Sequence, residues 1–306
     1  MEQWKEQWCA LLPPAVSEVL RGLDADAPLT EIRLRRDAPM ELVFENADRI
    51  VYGNHASPLT SADDIREICS RLQEFSAYAW ENERKDGFLT VNGCRVGLSG
   101  RMCRTERGVT GFASVSGLNI RIVREVPDCA APLLPYLLCD GELYSVLIVS
   151  PPGCGKTTLL RDLVRIASDG LFGVGASRVG VADERFELSG ASDGSIPFDL
   201  GVRTDVISGI AKSDAAIRIA ATLSPGILAM DELNTPHDAS ALLDASGKGV
   251  TVLATAHGRT WEDLRKRPAI RMLLKERVFD RIVLLKGIGK REAILDADGE
   301  PVEIGI

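Results

Sequence analysis

Nine consecutive residues near the middle of the chain restrict its fold more than any other stretch: Ser150-Pro151-Pro152-Gly153-Cys154-Gly155-Lys156-Thr157-Thr158. They follow an apolar run, Ser145 to Val149, and lead into the helical spacing of Leu159, Leu160, Leu163 and Val164. In a strand–loop–helix of this kind, main-chain N–H groups and a helix N-terminus converge on an anion. Lys156 is expected to reach the β- and γ-phosphates of a nucleotide, and Thr157 to ligate Mg²⁺. Pro152, Gly153, Cys154, Gly155 and Thr158 complete the expected phosphate cradle. One position departs from the usual pattern, because Ser150 stands where the first glycine is normally found. Gly153 is expected to relieve the tight turn instead.

The residues around the loop extend this reading. Buried strands are predicted over Val146–Val149, Val179–Ala182, Ile227–Met230, Val250–Ala254 and Arg281–Leu285, with helical patterns between them. That alternation predicts an α/β fold with a mostly parallel sheet covered by helices. The first part of the chain reads as a smaller α+β domain. It has a helical stretch from Trp4 broken at Pro13-Pro14 and short strands at Glu31–Leu34 and Glu41–Phe44. A helix capped by Ser61 follows, stopping before Ser76–Glu83. Gly87–Leu98 alternates about an Asn92-Gly93 turn, and Leu118–Val126 is a further strand. With 306 residues the chain has room for two domains. The expected boundaries are 1–126 for the N-terminal domain, 127–142 for a linker that includes the Pro127–Pro135 hinge, and 143–306 for the nucleotide domain.

Further polar residues fall at predicted strand ends, where open α/β sheets bind ligands. Asp231 and Glu232 close the strand Gly226–Met230. Asp231 suits a contact to Mg²⁺, and Glu232 suits the residue that orients or deprotonates an attacking water. At the end of Val250–Thr255, either Thr255 or His257 is placed to sense a γ-phosphate. Asp183 and Glu184 are candidates to tune the metal or the water, and Arg185 to stabilise transition-state charge. Arg203, in the turn-rich stretch Gly201–Asp205, is a candidate arginine finger.

Composition removes several alternatives. The net charge of −8 argues against a broad electrostatic grip on nucleic acid, and no stable nucleic-acid partner is expected. The seven cysteines have no paired metal spacing and the three histidines are scattered, so reduced thiols in a cytosol fit better than a zinc site. Residues Met1 to Cys9 carry charge and lack the apolar core of a secretory signal. No apolar run approaches the roughly 20 residues of a membrane span, so a membrane role is expected to be peripheral.

With these residues in hand, the chain resembles the stage III sporulation protein AA family along nearly its whole length. The resemblance rests on SPPGCGKTTLLRD (150–162), VADERFELSG (181–190), RTDVISG (203–209) and MDELNTPHDASAL (230–242). In the first half it rests on LTEIRLRRDAPMEL (29–42), CRVGLSGRM (94–102) and LNIRIVREV (118–126). The family is similar to the traffic ATPases of type II secretion and type IV pilus systems. That implies a RecA-like P-loop domain, MgATP as substrate, and a ring, usually a hexamer, in which an N-terminal domain covers a neighbour's nucleotide. It also implies a mother-cell, cytoplasmic location, peripherally docked on membrane-embedded sporulation channel proteins. By position, Lys156 and Thr157 match Walker A, Asp231 and Glu232 match Walker B, Asp183 and Glu184 match the acidic box, and His257 falls where a histidine box ends. Arg95, Arg101, Arg121 and Arg124 are candidates to complete a neighbour's site. Relatives often carry an arginine just before the serine–proline of Walker B, whereas here Ala221-Thr222-Leu223 precedes Ser224-Pro225 and only Arg218 is near. Leu233-Asn234 stands where Ile-Gly is more usual.

Two other readings compete with an ATP-driven machine. One is a nucleic-acid translocase or loader using the arginine-rich segments 31–36 and 95–107. The other is a nucleotide-gated assembly module with little turnover, against which the acids Asp231 and Glu232 argue.

Overall fold

The computed structural model describes residues 3–24, 28–44, 47–53, 59–75, 83–91, 93–105, 108–191, 196–287 and 290–303. They fall into two compact units, Met1–Arg124 with Gly190–Pro197, and Glu125–Ser189 with Phe198–Ile306. Among the described residues no helix is long and apolar enough to cross a membrane.

In the first unit, α1 (Gln3–Leu11) and α2 (Pro14–Arg21) flank the Pro13 break, with Pro14 in the first turn of α2 where its missing N–H costs nothing. Strands β1 (Leu29–Arg35), β2 (Met40–Phe44) and β3 (Asp48–Val51) precede α3 (Ala62–Phe75). After them come β4 (Phe88–Val91), β5 (Cys94–Thr105) and β6 (Gly108–Arg121). Ser61 caps α3 reciprocally: its hydroxyl accepts from Asp64 N at 3.1 Å, and the Asp64 carboxylate accepts from Ser61 N at 2.7 Å. The helix ends at Phe75; of the expected stop region, residues 76–82 lie outside the described residues. The six strands form one antiparallel sheet in the order β3-β2-β1-β6-β5-β4. Trp8, Leu20, Ile32, Leu42 and Ile68 are buried in its core.

Val91 pairs with Cys94, on either side of the expected Asn92-Gly93 turn, of which Asn92 lies outside the described residues. The rest of this hairpin departs from expectation. β5 and β6 run on together to Thr105 and Gly108, and β6 ends at Arg121 rather than reaching Val126. Residues 99–117 are mostly small or polar, and the pairing shifts register at Ser99/Gly100, Arg101/Met102 and Cys103/Arg104. Each bulge resets the two-residue alternation on which strand recognition depends.

The second unit begins with a turn into α4 (Leu134–Leu137) and the short hairpin β7 (Leu138–Cys139) and β8 (Glu142–Leu143). The stretch expected as a linker is therefore packed within this unit. Leu134 and Leu137 are buried, and Asp162 accepts from Asp128 N at 3.1 Å and from Ala130 N at 2.8 Å. Then follow β9 (Val146–Ser150), α5 (Lys156–Asp169), β10 (Val179–Asp183), β11 (Thr204–Ser208) and α6 (Lys212–Thr222). β12 (Ile227–Met230), α7 (Pro236–Gly247), β13 (Thr251–His257), α8 (Trp261–Lys266), α9 (Pro268–Lys275), β14 (Arg281–Gly287) and β15 (Lys290–Asp296) complete it.

These strands form a seven-stranded sheet in the order β11-β10-β12-β13-β9-β14-β15, parallel except for β15. Alternate residues serve two cores: Leu147, Val149, Leu228 and Met230 face one, while Val146, Ile148, Ile227 and Ala229 face the other. Burial on both faces explains why these strands read as continuous apolar runs. β11 lies where the sequence suggests only a turn, because an edge strand whose apolar residues are Val206 and Ile207 alone carries no such run. From β9 the chain crosses to β10, beyond β13 and β12, and it later returns to β14 on the other side of β9. The sheet thus switches direction at β9, and a crevice opens at the carboxyl ends of its central strands.

Candidate functional site

At the end of β9 the Ser150 hydroxyl donates to Pro151 O at 2.7 Å, and the chain turns through Gly153 (φ 75°) and Gly155 (φ 84°). Both glycines sit in the left-handed region, which disfavours side chains. The first bond of α5 runs from Leu159 N to Gly155 O at 2.9 Å. The amides of Lys156, Thr157 and Thr158 belong to the first turn and have no acceptor within the helix. A helix N-terminus with free amides of this kind is suited to an anion. Lys156 is buried, and its ammonium arches back over its own loop. It donates to Ser150 O and Oγ, both at 3.3 Å, and to Pro151 O at 3.1 Å, and it lies 3.2 Å from His257 Nδ1. Burial pushes its pKa below the ordinary lysine value, with the charge of Asp231 opposing the shift.

β12 delivers the acids. Thr157 Oγ1 donates to Asp231 Oδ2 at 2.7 Å, joining the first turn of α5 to the end of β12. The hydroxyl of Thr255, on β13, donates to the other oxygen of Asp231 and accepts from Glu232 N at 2.8 Å. Glu232 has φ 58°, a left-handed conformation that costs a non-glycine residue about 1–3 kcal/mol and persists only where neighbours enforce it. From that backbone its Oε1 lies 2.6 Å from His257 Nε2, and its Oε2 accepts from Arg185 Nη1 at 3.2 Å. Lys156 can only donate, so His257 Nδ1 accepts and Nε2 carries the proton given to Glu232. A continuous polar line therefore runs Lys156–His257–Glu232–Arg185.

The other expected residues are placed differently. Asp183 is buried, and its carboxylate accepts from Leu188 N (3.3 Å), Ser189 N (2.8 Å) and Ser189 Oγ (2.6 Å). Burial raises its pKa, and those donors oppose the rise. Its oxygens anchor the loop after β10. Glu184 Oε2 accepts from Lys212 N at 3.3 Å, at the start of α6. Arg203 does not join this chain's own loop: its Nη1 donates to Ser168 O at 2.9 Å, in the last turn of α5. That is the opposite edge of the sheet, where the parallel strands begin. Arg218 is exposed on α6. In the first unit, Arg95 lies over the Phe88 ring at 4.0 Å, Arg101 is exposed, Arg121 stands 3.6 Å from Glu31, and Arg124 lies over Trp4 at 5.5 Å.

Two residues escaped sequence reasoning. Arg161 is buried on α5, holds Glu187 O at 2.6 Å and Leu188 O at 2.8 Å, and lies 4.1 Å from the Phe198 ring. Lys212 is buried and binds two carbonyls of the β12 turn, Asp231 O at 3.3 Å and Glu232 O at 2.5 Å. The one signal for Lys212 was a cation at the head of a helix, where the dipole disfavours positive charge.

Among the described residues no cluster of three or more His, Cys, Asp or Glu could hold a metal. The Thr157 hydroxyl paired to Asp231 fits Mg²⁺, which takes few protein oxygens and completes its shell with water and substrate phosphate. Beside the loop lies a cavity of about 320 Å³, lined by Val126, Pro132, Leu133, Thr158, Leu285 and Arg291 among others.

Comparison with solved structures agrees with this architecture. The pilus retraction motor PilT with bound ADP superimposes with a TM-score of 0.55 at 13% identity, over 89% of this chain and 78% of that one. The ATPase DotB of Legionella pneumophila gives 0.53 at 12% identity, over 90% and 75%. At such identities the likeness concerns the fold, which is the RecA-like α/β type preceded by an α+β part. In sequence, the profile of the family described as "Sporulation stage III, protein AA" matches residues 2–302. Stage III sporulation protein AA of Bacillus subtilis (strain 168) is 39% identical over 275 residues, 89% of this chain and 88% of that protein. On that coverage, the chain belongs to the stage III sporulation protein AA family.

Proposed function

We propose that this protein binds and hydrolyses MgATP at the crevice between the 150–158 loop and the end of β12. One observation carries the reading: Thr157 and Asp231 meet at 2.7 Å although 74 residues separate them, which unites a phosphate loop with an acidic strand end. In this reading the loop amides and Lys156 take the triphosphate, and the ammonium leaves the Ser150 and Pro151 carbonyls to do so. Thr157 and Asp231 would hold Mg²⁺, which would supply positive charge beside the phosphates. Glu232, oriented by His257 and Arg185, polarises the attacking water and accepts its proton. His257 touches both Lys156 and Glu232, so a change at the lysine reaches the base through one ring. The cavity beside Thr158 takes the base and ribose.

We extend the proposal to a ring of subunits that converts nucleotide turnover into domain motion and energises a membrane-bound channel complex during endospore formation. The family membership and the fold shared with a pilus retraction motor and the ATPase DotB support it. The test is phosphate release by the purified full chain with MgATP, alongside nucleotide titration and particle mass with and without ATP. Glu232→Gln is expected to keep binding and to lose at least about a hundredfold in turnover. Lys156→Ala is expected to lose both. Tight binding by Lys156→Ala, or undiminished turnover by Glu232→Gln, would overturn the assignment.

A further inference from the structure

We infer that Lys212 is a positioning residue for hydrolysis: by binding the carbonyls of Asp231 and Glu232, it holds Glu232 in the left-handed backbone conformation that aims its carboxylate at His257 and Arg185. The inference rests on the MgATPase reading above.

Lys212 violates two local rules at once. It is the first residue of α6, where the helix dipole disfavours a cation, and it is only 8% exposed, where its charge loses water. The helix itself gives no reason for a lysine there. The compensation comes from outside, since Nζ donates to Glu232 O at 2.5 Å and to Asp231 O at 3.3 Å. These carbonyls belong to the turn that leaves β12, where Glu232 has φ 58°. The Glu232 amide is fixed separately by Thr255 Oγ1 at 2.8 Å. The Leu233 amide on the far side donates to Thr255 O at 2.8 Å, so β13 holds the N–H groups of both peptides that flank the strained residue, and Lys212 on α6 holds both of their carbonyls. The helix head that carries the clamp is itself tethered, because Glu184 Oε2 accepts from Lys212 N at 3.3 Å. That gives the acidic pair at the end of β10 a share in the same device: Asp183 anchors the loop that follows and Glu184 anchors α6. With both carbonyls released, the flanking peptides keep only their N–H bonds to Thr255, and the strained residue gains room to relax towards a right-handed or extended backbone. Its side chain would then leave His257 and Arg185. Lys212 acts through Glu232, its ammonium being occupied by main-chain oxygens.

The test uses the full chain with MgATP and compares wild type, Lys212→Met, Lys212→Arg and Glu232→Gln. Lys212→Met is expected to lower kcat at least about tenfold while KM and nucleotide Kd stay within about threefold. Lys212→Arg, which keeps donors for the carbonyls, should recover most of the loss. In the Glu232→Gln background, Lys212→Met should lower the residual rate by less than about twofold, because the group it positions is already gone. A general structural role would lower both backgrounds alike. Unchanged kcat in Lys212→Met overturns the inference. So does a rise in KM that accounts for the whole loss, which would make Lys212 a phosphate ligand. If Lys212→Met fails to fold, Lys212→Gln, polar but uncharged and one bond shorter than lysine, replaces it with the same expected split. If wild type itself releases no phosphate, the ATPase reading has failed; if only the split is missing, the positioning role alone has.

Discussion

Replacing Thr255 by valine should separate the chemistry of the β12 turn from its packing. Thr255 is fully buried, and its hydroxyl serves two partners, donating to Asp231 and accepting from Glu232 N. Valine keeps the β-branched shape and the strand preference of the site. It leaves a carboxylate oxygen and a main-chain amide each short of one bond. A bond to a charged group contributes about 1.5–3 kcal/mol and one to an amide about 1 kcal/mol. The added methyl returns up to about 0.8 kcal/mol. The expected net loss is therefore about 2–3 kcal/mol, read as an earlier urea transition of the second unit. The turn that holds Glu232 loosens as well, and kcat for MgATP should fall about ten- to hundredfold, equivalent to about 1.4–2.7 kcal/mol of barrier. Thr255→Ser is the control, since it keeps the hydroxyl and loses a methyl, and should cost about 1 kcal/mol with kcat largely kept. If the valine variant matches wild type in both measurements, or if serine is as damaging as valine, the hydroxyl does not hold the turn and the reasoning fails.

Two further outcomes follow from the geometry. A methyl group at Gly180 on β10 would lie 2.2 Å from Ile219 Cγ2, and Ile219 is fully buried and stiff about χ1, so Gly180→Ala should destabilise the second unit by about 1–3 kcal/mol in chemical unfolding. Burial lowers the Lys156 pKa below the ordinary lysine value of 10.5, so between the two values the unfolded chain keeps a proton that the folded chain has released. Stability of the nucleotide-free protein should rise with pH across that interval and be lost again as pH falls through the folded value. The difference in Tm between wild type and Lys156→Met should therefore move in favour of wild type as pH approaches 10.5; a constant difference refutes this.

Much of the fold could be read from local pattern. The five buried strands of the second unit are short apolar runs between helical patterns, and all five appear near their predicted places. The Pro13 break and the Ser61 cap depend on residues within one turn of each other, and both are present. What escaped was structure with a weak local pattern. The far halves of β5 and β6 are polar, glycine-containing and bulged, and β11 is an edge strand without an apolar run.

The site divides in the same way. Sequence singled out Lys156, Thr157, Asp231, Glu232 and His257 because each stands at a loop or strand end in a recognisable setting. It had no means of seeing that Arg203 belongs to the far edge of the sheet, or that the oxygens of Asp183 are taken by its own loop.

By itself, the order of residues determined that a glycine-rich turn links a strand to a helix, that strands and helices alternate after it, and hence that the second unit is a layered α/β sheet. These are properties of periods and turns a few residues long. Only the tertiary structure decided that Thr157 meets Asp231 across 74 residues, that Lys156 meets His257 across 101, and that Lys212 and Thr255 clamp a left-handed Glu232 from two sides. The reason is the strand order: β9 lies beside β13, and β12 lies beside β13 in turn, so the ends of three strands remote in sequence open into one crevice.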